Sequence, residues 1–333
     1  MRVVVTGASG NIGSACLRAL TADGRHEVVG VARRRPRVPQ PSPLASVSWH
    51  PADVSADDLD SVLTGADAVV HLAWKFQPTH RPTETWATNV VGTRRLLEAV
   101  RRRGVPVVVC ASSVAAYSPV DHDDPVDETW ATDGASEAAY CREKAYDERV
   151  LDAFEAGSPG TRVVRLRPAF VFQRSAASEQ RRIFGGALLR PRMLDRRFVP
   201  VLPVPSGLRM QAVHAGDVAR AVVAAVERPV SGAFNLAADG VLRRRDLGEL
   251  LDAPTVEVPA SLVRGVADLG WHSRMLPVPG SLLSAMLAVP LLRTDRARAE
   301  LDWVAHHTAG EAVGEMLEGA AMSAGSDLPP LHP

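Results

Sequence analysis

The first twenty residues restrict the fold more than any later stretch. Val3-Val4-Val5 is a β-branched run, Thr6-Gly7-Ala8-Ser9-Gly10-Asn11-Ile12-Gly13 interrupts it, and Ser14 to Leu20 resumes at helical spacing. A strand that enters a helix through three glycines has a specific use. Gly7 serves the tight turn, Gly10 the close approach of a pyrophosphate, and Gly13 the packing of helix on strand. Amide hydrogens at the helix N-terminus then point at phosphate oxygens. Gly7, Ser9, Gly10, Asn11, Ile12 and Gly13 are therefore candidate contacts to a dinucleotide.

Further strands are expected over 26–32, 47–50, 67–74, 105–111, 161–168 and 232–237, separated by helices over 55–63, 83–103 and 136–154 and one opening near 213. This alternation predicts an α/β fold: a Rossmann-type doubly wound parallel sheet with a smaller C-terminal substrate-binding lobe. The expected division is 1–168, completed by about 213–240, for the dinucleotide-binding domain. Segments 169–212 and 241–308 would form the lobe, and 309–333 a helix with a disordered tail from Ser323, where Pro329, Pro330 and Pro333 cluster.

Charge and cysteine content exclude several classes. The 38 basic and 38 acidic residues cancel, so no global field favours nucleic acid or an anionic membrane. Cys16, Cys110 and Cys141 lack the spacing of a zinc site or a disulfide framework, so no metal is expected and a reducing compartment is. Met1-Arg2 runs straight into the first strand, and the apolar stretch 282–292 is too short to span a bilayer. These features predict a soluble cytoplasmic protein with a small-molecule substrate.

Arg33 and Arg34 follow the second strand where a ribose-binding acid would otherwise stand. A guanidinium there suits a 2′-phosphate, which favours NADP(H), with NAD(H) the alternative. Asp53, followed by Val54, serves either as an acceptor for an adenine amino group or as a cap for the next helix. Leu72 and the small Ala73 end the fourth strand where backbone would approach the cofactor. His71 reads as a structural residue there, with acid–base work as the alternative. Asn89 has no propensity reason to lie within a helix and reads either as a hydrogen-bonding residue on the cofactor side or as a plain surface position. Ser112 and Ser113 follow the fifth strand, at the carboxyl edge where such sheets bind ligands.

Tyr140 and Lys144 lie one helical turn apart on a shared face. At about 4 Å and an effective dielectric of about 20, a phenolate and an ammonium attract by roughly 4 kcal/mol. That is enough to lower the phenol by roughly 3 pKa units, into the range of general acid–base catalysis, while Glu143, Asp147, Glu148 and Arg149 leave a salt-laced surface helix as the alternative.

Taken together, Gly7, Gly10 and Gly13, the Asp53-Val54 pair, His71-Leu72-Ala73, Ser113 and the Tyr140 to Lys144 spacing resemble the short-chain dehydrogenase/reductase superfamily. The resemblance is to the extended type, which includes nucleotide-sugar epimerases and some carbonyl reductases. It implies that Ser113 hydrogen-bonds the substrate oxygen, that Tyr140 passes the proton, and that Lys144 binds the nicotinamide ribose. It also implies that backbone at Pro168 and Val171 approaches the nicotinamide amide. Gln173-Arg174 departs from the glycine and proline frequent in the family, and the scattered Arg174, Arg181, Arg182, Arg190, Arg192, Arg196, Arg197 and Arg209 do not establish a phosphorylated substrate. Val114 and Ala115 stand where dehydratases place acids. The resulting expectation is an NADP(H)-dependent oxidoreductase acting on a carbonyl or secondary alcohol. A nucleotide-sugar epimerase and a non-catalytic NADP(H) sensor are the alternatives. A homodimer through helices 83–103 and 136–154 is a further implication.

Overall fold

β-Branched runs, alternating the faces they bury, build the centre of the molecule. In the computed structural model, which describes residues 1–38, 41–186 and 201–332, Val3 and Val5 pack into one apolar layer and Val4 into the opposite one. The chain runs β1 (Arg2–Thr6), α1 (Asn11–Thr21), β2 (Glu27–Ala32), β3 (Ser48–Pro51), α2 (Asp60–Leu63), β4 (Ala68–His71), α3 (Pro82–Trp86), α4 (Gly92–Arg103), β5 (Val107–Ala111), α5 (Ala139–Ala156) and β6 (Arg162–Pro168). It continues with β7 (Phe170–Phe172), α6 (Ala177–Gly185), β8 (Leu202–Pro205), β9 (Ala212–His214), α7 (Ala215–Glu227), β10 (Gly232–Leu236), α8 (Arg244–Leu251), β11 (Thr255–Val258), α9 (Ala260–His272), α10 (Gly280–Leu287), α11 (Asp295–Leu301) and α12 (Ala309–Ala321).

Seven strands form one parallel sheet in the order β10-β6-β5-β4-β1-β2-β3, a Rossmann-type arrangement. Helices α1 and α7 cover one face through Leu17, Leu20, Val218 and Val222. Helices α4 and α5 cover the other through Leu96, Leu97, Leu151 and Phe154. Full burial of each such side chain contributes about 1.5–3 kcal/mol. Two short parallel pairs, β7-β9 and β8-β11, lie outside the main sheet. Among the described residues no helix is long and apolar enough to cross a membrane.

Four expectations need correction. The helix expected over 55–63 is helical only at Asp60–Leu63, because Asp53 draws the N–H and hydroxyl of Ser55 into a turn instead. The strand expected over 67–74 ends at His71, after which the chain leaves the sheet to wall the cleft described below. The helix expected over 83–103 is interrupted by a π turn at Ala87–Val91 that contains Asn89. The tail from Ser323 is packed rather than disordered, with Leu328 and Leu331 buried and Arg182 donating to the carbonyls of Pro330 and His332. Its prolines remove backbone donors, and the two leucines and the guanidinium anchor it.

Candidate active site

A cleft of about 350 Å³ opens at the carboxyl ends of β1, β4 and β5, beside the glycine turn. Gly7 adopts φ +68°, and a Cβ there would lie 2.5 Å from the carbonyl carbon of Leu72. At Gly13 a Cβ would meet the Gly7 carbonyl oxygen at 2.2 Å. Neither position admits a side chain. Gly10 donates its N–H to the Gly7 carbonyl at 3.0 Å and starts α1, which has no side-chain cap and no acid in its first turn. The free first-turn amides therefore face a cleft lined by Gly7, Ser9, Gly10, Asn11, Ile12 and Gly13. These residues fit a dinucleotide pyrophosphate.

Gln173, at the point of departure from the family pattern, holds this turn in place. Its Nε2 donates to the Asn11 carbonyl at 2.6 Å and to Ser14 Oγ at 3.2 Å, while its Oε1 accepts from Arg18 at 2.9 Å. Asn11 in turn donates to the Val171 carbonyl at 3.0 Å. Pro168 and Val171 both line the cleft.

Arg33, Asp53, Val54, Leu72 and Ala73 also line the cleft, whereas Arg34 is exposed outside it. Burial raises the Asp53 carboxyl, but the Ser55 hydroxyl and N–H, with Arg33 nearby, hold it below the usual carboxylate range. Facing the cleft, Asp53 is compatible with the adenine-acceptor reading, whereas the helix-cap reading is corrected: Asp53 bonds Ser55 in a turn, and the helix begins only at Asp60 with Leu59 at its N-cap.

Ser113, Tyr140 and Lys144 converge on this same cleft. Ser113 Oγ accepts the Ala115 N–H at 3.1 Å and lies beside the Tyr140 hydroxyl. The Tyr140 ring sits edge-on to Trp74 at 5.9 Å and to Phe76 at 4.7 Å. Burial pushes its phenol above the ordinary value, and the Ser113 hydroxyl pulls it back only in part. The phenol lowered by its neighbouring ammonium is therefore not what the structure shows. Helical spacing does put both residues on one face, but Lys144 Nζ donates to the Ala111 carbonyl at 2.8 Å and lies 3.3 Å from the centre of the Trp74 ring. Burial brings the Lys144 ammonium down to about 8, against the opposing charges of Asp147 and other neighbours.

A polar network behind the cleft fixes α5. Glu143 accepts from Thr85 Oγ1 at 2.7 Å and from Asn89 Nδ2 at 2.6 Å. Asn89 also clasps the backbone of Lys75, accepting its N–H at 2.7 Å and donating to its carbonyl at 3.1 Å. Asn89 is fully buried and lies outside the cleft lining, so its expected place among the cofactor contacts is corrected to a positioning role. Glu148 receives Arg167, Arg165 and Ser112; burial raises it, but the guanidiniums and the serine hold it at about 2. Ser112 is thereby committed to Glu148. His71 bonds Thr6 at 2.7 Å and Thr93 at 2.9 Å, and burial lowers it to about 3, so it is a neutral structural residue.

Sequence reasoning missed Glu143, Glu148, Arg165, Arg167 and Gln173. A signal existed for two of them, since arginines alternating at 165 and 167 in an otherwise apolar strand must face one side and find anions there. Of the arginines between 174 and 212, Arg190, Arg192, Arg196 and Arg197 lie outside the described residues. Arg174 pairs with Glu318, and Arg209 with Asp123 and the His122 carbonyl. Elsewhere, His214, His307 and Glu315 bring potential metal-ligand atoms within 4.8 Å of one another. His214 Nδ1, however, accepts the Gly216 N–H, which leaves the neutral ring's proton on Nε2, towards Glu315. That cluster ties α7 to α12.

A glycine-turn Rossmann sheet with serine, tyrosine and lysine gathered at its crevice defines an extended short-chain dehydrogenase/reductase. Residues 3–237 match the family model described as NAD dependent epimerase/dehydratase family, and the chain belongs to that family. An uncharacterized protein of Mycobacterium tuberculosis is 31% identical over 271 residues, covering 80% of this chain. The chain spans only 25% of that relative's length. A 4-hydroxy-2-methyl-3-oxo-4-farnesyl-3,4-dihydroquinoline-1-oxide ketoreductase of Stigmatella aurantiaca is 25% identical over 342 residues, 98% of both chains. The solved UDP-glucose-4-epimerase of Stenotrophomonas maltophila, with bound NAD and formylated UDP-arabinopyranose, superposes with a TM-score of 0.72 at 22% identity, covering 97% of this chain and 99% of that one.

Proposed function

We propose that the chain is an NADP(H)-dependent oxidoreductase that interconverts a carbonyl and a secondary alcohol on a small molecule. The observation that carries this is the convergence of Ser113, Tyr140 and Lys144 beside the glycine turn in a single cleft. Nicotinamide, when bound, supplies or accepts the hydride. Ser113 donates to the substrate oxygen, and Tyr140 gives or takes the proton there. Lys144, which burial brings down to about 8, holds a ribose hydroxyl and restores the phenol proton. Ketone and phenol are brought into contact by the walls of the cleft rather than by diffusion.

Arg33 in the cleft supports NADP(H), since it can meet a 2′-phosphate with two donors. The full-length similarity to a ketoreductase supports reduction. Epimerisation of a nucleotide sugar would use the same three side chains but return the hydride, leaving no net oxidation. The family's dimer, formed through α3, α4 and α5, is supported here by Trp86 and Tyr146, 5.0 Å apart and exposed. The test of function is steady-state oxidation of NADPH with a carbonyl panel, with Tyr140→Phe as control. Turnover that this substitution leaves unchanged overturns the assignment.

A further inference from the structure

Beyond the phenol, the cleft changes character. Trp74 and Phe76, leaving β4, flank Tyr140 edge-on, and Phe184 of α6 lies 5.7 Å from Phe76. Helix α10 brings Leu282 and Met286, which join Phe76 and Tyr140 in one apolar cluster. Aromatic rings and aliphatic chains thus make one apolar part of the cleft lining, which includes the reactive phenol.

Among the described residues, the charges around this cup are committed elsewhere; Arg190, Arg192, Arg196 and Arg197 lie outside those residues. Lys75 pairs with Glu84 at 2.7 Å, and Arg33 stands with Asp53 at the far end of the cleft. Arg174 and Arg209 bind acids elsewhere, and Arg182 binds the tail carbonyls. Glu179 lines the cleft, and burial pushes its carboxyl up to about 7, so near neutrality it is only partly charged and can donate as well as accept a hydrogen bond. A pyrophosphate in such surroundings would be desolvated without matched cations, whereas a hydrocarbon gains from the same walls.

Resting on the oxidoreductase assignment, we propose that the substrate is an uncharged hydrophobic ketone, or its secondary alcohol, whose ring or branched body seats among Trp74, Phe76, Phe184, Leu282 and Met286. Its oxygen then meets Ser113 and Tyr140. In reduction the carbonyl carbon takes a hydride from the reduced nicotinamide, the π pair moves to oxygen, and oxygen takes the phenol proton. One ketone is reduced for each NADPH oxidised.

The full chain is assayed with NADPH and two ketones, acetone and the two-ring 2-tetralone, and separately with NAD+ or NADP+ and UDP-glucose. The expected result is a kcat/KM at least about 100-fold higher for tetralone than for acetone, with UDP-glucose neither oxidised nor epimerised. Phe184 is 40% exposed, so Phe184→Ser does not open the core. It is expected to raise KM about 10-fold for tetralone and by much less for acetone. Conversion of UDP-glucose, or a preference for acetone over tetralone, overturns the substrate class and leaves Tyr140-dependent hydride transfer standing. Absence of NADPH oxidation with both ketones overturns both.

Discussion

Glu148 and Arg167 meet in a double hydrogen bond, Nε to Oε1 at 2.8 Å and Nη2 to Oε2 at 2.9 Å, where the carboxylate has no exposure to solvent. Arg165 reaches the same carboxylate at 3.1 Å and extends to Asp152 and Glu155. The pair fixes α5 against β6 one turn beyond Lys144, so the register of the active-site face depends on it. Removing one member strands a buried charge, which costs about 3–5 kcal/mol. Arg167→Met should lower unfolding free energy in urea by about that amount, and Glu148→Gln by less, because the amide keeps one acceptor. Equal stability of Arg167→Met and the parent would show that the pair does not hold the helix.

Asn89 should behave as a brace, not as a cofactor ligand. Asn89→Leu breaks its bonds to Lys75 and Glu143 inside the molecule, at a cost of about 1–3 kcal/mol per unsatisfied group. Melting temperature should fall and kcat should fall with it, while the Kd for NADPH, read by fluorescence titration, changes by less than about threefold. A large rise in Kd with normal melting would restore Asn89 to the cofactor contacts.

The sheet, the glycine turn and the Ser113, Tyr140 and Lys144 triplet were legible because each depends on local chemistry: β-branched runs, a φ that only glycine tolerates freely, and helical spacing. The charge state of the triplet was not legible. Spacing says that Tyr140 and Lys144 share a face, but burial against Trp74 and Phe76 and the reach of Lys144 to the Ala111 carbonyl are tertiary facts. Glu148 was equally obscure, since a helix rich in charges looks solvated until its partners on β6 are known. The packed tail was misread because prolines signal disorder only when no apolar anchor such as Leu331 follows.

The rate of ketone reduction should fall as pH rises through the region where Lys144 deprotonates. Burial lowers that ammonium to about 8, and Asp147, raised by burial to about 7, shares a small internal void with it and opposes the lowering. One Asp147 oxygen has no hydrogen-bond partner among the described residues, and the carboxylate, where ionised, holds the Lys144 ammonium up. Asp147→Asn removes that charge, and the alkaline limb of the kcat profile should move to lower pH. A limb that stays in place, or moves up, would separate Asp147 from the proton path.

Trp86 and Tyr146 are 41% and 39% exposed, and they form a contiguous aromatic surface across α3 and α5. Trp86→Glu should convert a dimer, measured by light scattering after gel filtration, into a monomer. A parent chain that already runs as a monomer would remove the proposed interface.

The proposed preference for NADP(H) rests on Arg33, whose position fixes the sign of the effect that its substitution should have. It lines the cleft at the end of β2, close enough to Asp53 to help hold that carboxyl low. Bound to a 2′-phosphate, its guanidinium would form charge-assisted hydrogen bonds of about 1.5–3 kcal/mol, which corresponds to roughly 10- to 150-fold in affinity. Arg33→Ala should therefore raise the KM for NADPH by that factor. NADH lacks the phosphate, so its KM should change by less than about threefold. Arg33→Asp should go further, because a carboxylate repels the phosphate and accepts from ribose hydroxyls, so the variant should prefer NADH. The discriminating measurement is the ratio of kcat/KM for the two nucleotides in parent, Ala and Asp variants at one ionic strength. A ratio that favours NADH in the parent and does not move with either substitution would assign the ribose end of the cleft to NAD(H) and leave Arg33 as a surface charge.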